Sequence, residues 1–206
     1  FDAERVTLDP ALRPLLGRTL RLDALDIVGA TLDLPRSDEP FELPRWPDVL
    51  PRLELPLALR ADAIRIDRLK VAREGAALVE IRSARGGLHA APGSLHIEHL
   101  AIDSDRGRFT VHGDYLPREN FSSDLRATAV LPAPSGQAPP RLGLVAKGDL
   151  SDMYLAIGGR APSPLRAVLS LRGDQDRPRW QLRANSDALD VGLLGGHGEA
   201  STPLAF

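Results

Sequence analysis

The sequence predicts an all-β protein in which one long, curved antiparallel sheet surrounds a single apolar surface. Three stretches, residues 20–27, 64–71 and 95–102, share one eight-residue pattern: aliphatic side chains at positions 1, 3, 6 and 8, and an acid at position 4. Turn-forming residues separate about a dozen short apolar runs, which is the spacing expected of antiparallel strands. An open sheet of that many strands has to curl, split into two layers or close.

The eight-residue pattern changes parity halfway along. Two aliphatics two residues apart lie on one face of a strand, but the second pair follows at the opposite parity. Either the second half faces the other way, or an extra residue forms a β-bulge that restores the face and bends the strand. We favour bulges, near residues 23–24, 67–68 and 98–99. The polar members of the pattern then lie on the outer face or rim: Arg21, Asp23, Arg65, Asp67, His96 and Glu98.

Composition excludes several classes of function. The 26 basic and 28 acidic residues are interspersed and give a net charge of −2, which argues against a nucleic-acid footprint and against a polybasic membrane anchor. Cysteine is absent, so disulfides and thiolate metal sites are excluded. No apolar run has the length of a membrane span. The chain opens on Phe1 without Met, so we expect residues 1–206 to be one continuous segment of a longer protein.

Taken in order, the N-terminal elements begin with a short helix predicted over residues 9–17, where Asp9 can cap and Gly17 can end it. Strands follow at residues 19–28 and 31–34, with a turn between them. Residues 37–50 form a polar, proline-containing linker or rim loop.

The clearest alternation follows that linker. Residues 53–60 place four leucines on one face, and Pro56 restricts this strand to an edge or interrupts it. Short strands are predicted at residues 76–83 and 87–91. A meander completes the chain, with strands at residues 108–114, 124–131, 142–145, 154–157, 165–171 and 180–184. Residues 187–191 partly repeat the eight-residue pattern.

No constellation of catalytic or metal-binding residues stands out, so we predict a non-enzyme without cofactor or metal. On a strand, His96 and His99 point to opposite faces. Asp103, Asp105 and Gly107 resemble the start of a calcium loop, but an EF-hand needs Glu at its twelfth position, where Asp114 stands. A β-turn is the better interpretation. Nucleophile-elbow and phosphate-binding glycine motifs are also absent from the sequence.

Several strings in order resemble a known family. They are residues 53–59 leading into 64–71, residues 95–113, and residues 144–155 followed by 164–169 and 180–182. This order is similar to the periplasmic part of the TamB family, the inner-membrane-anchored subunit of the translocation and assembly module of Gram-negative bacteria. The resemblance covers nearly the whole chain, although the linker is short for the family. AsmA-like proteins share the style of repeat and remain an alternative.

The resemblance implies a β-taco, a long sheet folded into a trough with an apolar inside. It implies a periplasmic conduit that shields phospholipid acyl chains between the two membranes and supports outer-membrane protein assembly. A barrel partner of the TamA type and a membrane anchor would engage segments outside these residues. The candidate lining residues are Leu20, Leu22, Leu25, Ile27, Leu32, Leu34, Leu53, Leu55, Leu57, Leu59, Ile64, Ile66, Leu69, Val71, Leu95, Ile97, Leu100, Ile102, Phe109 and Val111.

A second interpretation stays open at this point. The same leucines would also fill the core of a closed β-sandwich or solenoid, which would act as a non-catalytic interaction or adhesion module. The two interpretations differ in whether the apolar face is covered by protein.

Overall fold

The strands of the protein form a single open sheet. A computed structural model describes residues 2–11, 19–34, 50, 52–53, 55–173, 178–196 and 201–206. Within these residues eleven strands lie side by side in chain order. The sheet is curved and unclosed, and one four-residue helix accompanies it. The predicted all-β class and curved sheet are therefore confirmed.

The strands differ in length from one end of the sheet to the other. In chain order they are β1 (Asp2–Ala11), β2 (Thr19–Leu34), β3 (Ala58–Arg73), β4 (Ala76–Ala91), β5 (Ser94–Ser104), β6 (Gly107–Leu116), β7 (Ser122–Val130), β8 (Arg141–Asp149), β9 (Asp152–Arg160), β10 (Pro164–Arg172) and β11 (Arg179–Ser186), followed by helix α1 (Val191–Leu194). Strands β2 to β4 have 16 residues each, whereas β7 to β11 have eight or nine. At about 3.3 Å per residue, the sheet narrows from about 53 Å to about 30 Å.

Among the described strands, one pair is parallel. Strands β2 and β3 run in the same direction, and every other neighbouring pair is antiparallel. A parallel pair requires a long connection, and residues 35–57 supply it. The linker predicted at residues 37–50 falls in this connection and, apart from Leu50, lies outside the described residues.

The N-terminal helix prediction is wrong where the structure describes it. Residues 9–11 continue strand β1, and residues 12–18 lie outside the described residues. Pro10 is compatible with a strand because β1 is at the edge of the described sheet, where a residue without an N–H is tolerated. The Asp9-Pro10 pair, which is typical of a helix start, therefore lies in a strand here.

At two places where a break was predicted, the strand is continuous. Strand β2 passes through the turn expected at residues 29–30, because Gly29 adopts φ +62° and bends the strand without ending it. The strands predicted at residues 76–83 and 87–91 are one strand, β4. Each of these strands pairs with a neighbour on both sides, and this pairing keeps the strand continuous through its glycines.

The strand predicted at residues 53–60 is largely wrong. Strand β3 begins at Ala58, and Pro56 lies in a bend before it. Leu53 instead packs, together with Leu50, against a buried cluster at one rim of the sheet. The cluster consists of Tyr115, Phe121, Leu150, Met153 and Leu171. Burial in this cluster outweighs the local strand pattern.

The turns were predicted more accurately than the strand ends. Residues 73–75 close the β3–β4 hairpin, with positive φ at Glu74 and Gly75 as a type I′ turn requires. Acid-rich turns also join β5 to β6 and β8 to β9, as expected. The partial repeat at residues 187–191 does not form a strand of the sheet, because the chain leaves the sheet there. Asp190 caps helix α1 by accepting a hydrogen bond from the Leu193 N–H at 3.4 Å.

Candidate functional site

Cross-strand register lines up the apolar side chains in rows perpendicular to the strands. Residues directly opposite each other on neighbouring strands point to the same face of the sheet. The first row is Leu20, Leu59, Ala90, Leu95, Tyr115, Ser123, Gly148, Met153, Leu171 and Trp180. The second row is Leu22, Ala61, Leu88, Ile97, Gly113, Leu125, Ala146, Leu155, Leu169 and Leu182.

Two more rows follow on the same face and also reach strand β1. The third row is Leu8, Leu25, Ile64, Gly86, Leu100, Val111, Ala127, Leu144, Ile157, Ala167 and Ala184. The fourth row is Val6, Ile27, Ile66, Ala84, Ile102, Phe109, Ala129, Leu142, Gly159, Leu165 and Ser186. None of these row members is an Asp, Glu, Lys, Arg or His. The polar side-chain groups among them are two buried serines, the Tyr115 hydroxyl and the Trp180 indole N–H. This face is the candidate site.

The predicted bulges explain why the eight-residue pattern serves one face. Between the second and third rows, β2, β3 and β5 advance three residues, whereas β4 and β6 advance two. The extra residues fall at 23–24 and 98–99, where the pairing with β1 and with β6 shifts register. The bulges predicted at these two places are confirmed. A third lies at residues 62–63, which the sequence pattern did not indicate.

A second line of extra residues separates the fourth row from a fifth. Strands β2, β3 and β4 each advance three residues there, and β5 advances two. Gly29 and Arg68 sit at this level with φ +62° and +59°. The irregularity predicted near residues 67–68 is therefore present, but β3 keeps its register with both neighbours because each has the same extra residue. The visible register shift falls between β4 and β5, at residues 81–83.

Most of the predicted lining residues lie in these rows. Leu69 belongs to the fifth row, opposite Ala30 and Ile81, while Leu32 and Val71 begin a sixth. Four candidates do not fit. Leu34 pairs with Arg73 at the end of its strand, and Leu53, Leu55 and Leu57 precede β3. Leu57, which is 37% exposed, lies in the bend before β3 and belongs to none of the rows.

The predicted lining residues leave out the part of the face formed by the later strands. Its members include Leu125, Leu144, Leu155, Leu165 and Leu169, and Leu88 in β4 was also not predicted. The signal was present as alternation with polar residues in β7 and β10, where no eight-residue pattern drew attention to it.

The rims of the face are covered, in different ways. At the first-row rim, Leu50 and Leu53 pack on the cluster of Tyr115, Phe121, Leu150, Met153 and Leu171. At the opposite rim, residues 187–196 run back from β11 along the strand ends. The Asp190 N–H donates to the Ala161 carbonyl at 3.0 Å, and a Cβ on Gly196 would lie 3.1 Å from the carbonyl oxygen of Arg106. We call residues 187–196 the rim strap.

Asp190 holds the rim strap in place. Its carboxylate accepts from the Ser201 N–H and hydroxyl, both at 2.8 Å. Burial alone would raise the pKa of Asp190, but the hydrogen bonds from Ser201, Leu193 and Gly192 hold that pKa below its usual value. Leu193 at the centre of the strap is fully buried.

The opposite face of the sheet is polar, as predicted. Arg21 donates to Asp62 at 3.0 Å, and Arg60 donates to the same carboxylate at 2.7 Å. The hydrogen bond from Arg60 lowers the pKa of Asp62 and raises that of Arg60. Further along, His96 contacts Asp114 at 2.7 Å. These groups are largely exposed, so each pair contributes little to stability because water screens its charges.

The metal-site and calcium-loop patterns considered from the sequence involve polar side chains that the structure describes. The described residues contain no group of three or more His, Cys, Asp or Glu side chains arranged to hold a metal. At the β5–β6 turn, Arg82 donates to Asp103 and to the Ser104 carbonyl. That turn is a charge-paired β-turn rather than a calcium loop. No helix within the described ranges is long and apolar enough to cross a membrane.

Comparison with known proteins adds no relative: no family model, no curated protein and no solved structure matches the chain.

Proposed function

We propose that this sheet is a segment of a hydrophobic conduit that shields phospholipid acyl chains. The observation that carries the proposal is the run of four uncharged rows across successive strands, on one face of a curved and unclosed sheet. Burying one acyl CH₂ on such a face stabilises by about 0.8 kcal/mol and needs no specific polar contact. Phosphate head groups would stay in water, outside the apolar face.

The dimensions of the face suit lipid chains lying along the rows. Half of a bilayer's hydrocarbon core, about 15 Å, approximates the length of one acyl chain. At about 4.8 Å per strand, a chain of that length covers about three strands. Ten strands in sequence therefore hold several chains end to end, and a lipid moves from strand to strand without meeting a charge.

The wider role follows the TamB-like resemblance. In this proposal the segment stands in the periplasm as part of a protein anchored in the inner membrane, and it carries phospholipid between the inner and outer membranes. Support of outer-membrane protein assembly, with a barrel partner of the TamA type, would use other segments of the protein. Two of the eight-residue stretches, residues 64–71 and 95–102, belong to the strings that carry the resemblance, and they lie in strands β3 and β5 of the apolar face.

Mass spectrometry of lipid extracted from the purified chain tests the proposal. We expect phospholipid to copurify with the wild type and to fall severalfold in Ile66→Arg, because an unpaired charge among acyl chains is costly. Ala63→Arg is the matched control, since it adds the same charge three residues away at an exposed position of the same strand. Ile66→Val should retain the lipid of the wild type.

Cells that depend on the full-length protein give the second readout. Ile66→Arg should accumulate normally yet make the envelope sensitive to detergent and vancomycin, whereas Ala63→Arg should not. Wild-type protein without bound lipid, or an Ile66→Arg variant that retains it, would overturn the conduit. If Ile66→Arg is insoluble, Ile66 belongs to a closed core, and a non-catalytic interaction module becomes the better interpretation.

A further inference from the structure

Two histidines stand directly opposite each other on the polar face of the sheet. His89 in β4 pairs with His96 in β5, across the hairpin that joins these strands, and both residues are exposed. The Cβ atoms of directly opposed residues in an antiparallel pair lie about 4.5–5.5 Å apart, so the two imidazoles can reach one ion between them. Both strands have neighbours on each side, which places the pair well inside the sheet.

The bulges on either side of β4 place this pair in a depression of about 290 Å³. The extra residues of β3 and β5 approach β4 at Gly87. A Cβ added to Gly87 would lie 2.8 Å from Glu98 Oε2 and 3.1 Å from the Asp62 carbonyl oxygen. Because Gly87 has no side chain to fill this space, the surface stays open there, and His89, His96 and Glu98 line it.

A carboxylate fixes the tautomer of His96. Its Nδ1 lies 2.7 Å from Asp114 Oδ1. An ionised carboxylate only accepts hydrogen bonds, so a neutral His96 carries its proton on Nδ1 and keeps the lone pair on Nε2. Metal-binding histidines are commonly held by a carboxylate in this way, because it orients the ring and raises the basicity of the other nitrogen. His96 is therefore arranged to act as a ligand through Nε2.

The charges around the pair are compatible with a bound cation. Arg60 also lines the depression, but it donates to Asp62 at 2.7 Å, so its charge is balanced locally. Glu98 adds a further carboxylate. Since the described residues hold no set of three side chains placed to bind a metal, the arrangement offers two protein ligands and leaves the remaining coordination positions to water.

We propose that His89 and His96 form a two-histidine site for a divalent transition-metal ion of the zinc and copper class. Neutral imidazole is a preferred protein ligand of these ions. A bound ion would link β4 to β5 on the face opposite the apolar rows. The site goes beyond the proposed lipid function and does not depend on it. Sequence analysis considered His96 with His99, whereas only the register of β4 and β5 brings His89 to His96.

Calorimetric titration of the purified, untagged chain with Zn²⁺ tests the site. Asp114→Ala should weaken binding about tenfold, because it removes the group that orients His96. His89→Ala and His96→Ala should each weaken binding more than that, because a single imidazole cannot chelate the ion. His99→Ala is the matched control, since His99 is an exposed histidine of β5 that does not line the depression. It should leave the affinity unchanged.

Nuclear magnetic resonance of the imidazole nitrogens identifies the ligands directly. Zn²⁺ should shift the Nε2 resonances of His89 and His96 and leave those of His99 in place. The ion should also raise the melting temperature of the wild type but not of His89→Ala, because an ion that binds only the folded state stabilises it. Without Zn²⁺ the two proteins should melt alike, since His89 is exposed.

Three results would overturn the proposal. The first is a wild-type chain that does not bind Zn²⁺. The second is unchanged affinity in His89→Ala or His96→Ala, which would place the ion elsewhere. The third is an equal loss in His99→Ala and His89→Ala, because the histidines would then attract the ion as a diffuse patch without a defined site.

Discussion

Strands β2 to β5 and strands β6 to β11 build the same apolar face in two different ways. The strands of the first group are longer, and this group contains the extra residues that separate the rows. It also includes the parallel pair. The second group pairs without a single register shift, and its rim buries Tyr115, Phe121, Leu150 and Met153. The comparison indicates that curvature in the first half comes from backbone irregularity, whereas the second half is held by side-chain packing at its rims.

The largest difference between the halves should appear when a leucine is truncated. Leu150 has 1% of its surface exposed and lies in the rim cluster. Leu150→Ala should cost about 2–5 kcal/mol of unfolding free energy, because it leaves a cavity. The same change at half-buried Leu100 in β5 should cost about 1–2 kcal/mol, since less surface returns to water. Urea unfolding measures both, and equal losses would contradict the contrast between a packed rim and an open face.

A pair of adjacent glycines tests the regular pairing of the second half. A Cβ at Gly159 would lie 2.1 Å from the Arg141 carbonyl oxygen, whereas a Cβ at Gly158 would meet nothing within 4 Å. Gly159→Ala should therefore force β8 and β9 apart and cost about 1–3 kcal/mol. Gly158→Ala should be neutral or stabilise by about 0.4–1 kcal/mol. Amide hydrogen exchange along β8 would locate the opening, and similar thermal stability of the two variants would refute the close approach.

A substitution at Arg68, the residue of β3 with a positive φ, tests the half of the sheet that contains the bulges. Arg68 has φ +59°, which costs about 1–2 kcal/mol for a residue with a Cβ. Its side chain donates to Glu4 at 2.8 Å in an exposed pair worth little. Arg68→Gly should thus stabilise by up to about 1 kcal/mol, whereas Arg65→Gly in the extended part of β3 should destabilise by about 0.5–1 kcal/mol. Thermal unfolding of both variants checks the signs, and a loss at Arg68 would mean that the kink is not strained.

The smallest effect is expected on the polar face. Arg65 donates to Asp26 at 3.4 Å, and its side chain is mostly exposed. Arg65→Ala should change the unfolding free energy by less than about 1 kcal/mol. Denaturant titration of this variant also reports on coverage: a loss of several kcal/mol would show that the polar face is buried by another layer.

In the three eight-residue stretches, the sequence by itself determined which side chains share a face. The spacing of aliphatics in residues 20–27, 64–71 and 95–102 requires an extra residue in each stretch, because strand periodicity is two and the face must stay apolar. Acidic and arginine residues at the intervening positions placed the polar face without further information. Turns such as residues 73–75 were equally local, since only glycine and a few other residues accept their backbone conformation.

Only the tertiary structure decided how these stretches meet. The parallel pairing of β2 with β3, the membership of Pro10 in a strand and the continuity of β2 through Gly29 all depend on neighbours distant in sequence. Leu53 has a clear strand pattern, yet it packs on the rim cluster because burial there outweighs local propensity. The continuous rows also form only when the register of all ten strand pairs is fixed. Register depends on two strands together, so the sequence of one strand does not determine it.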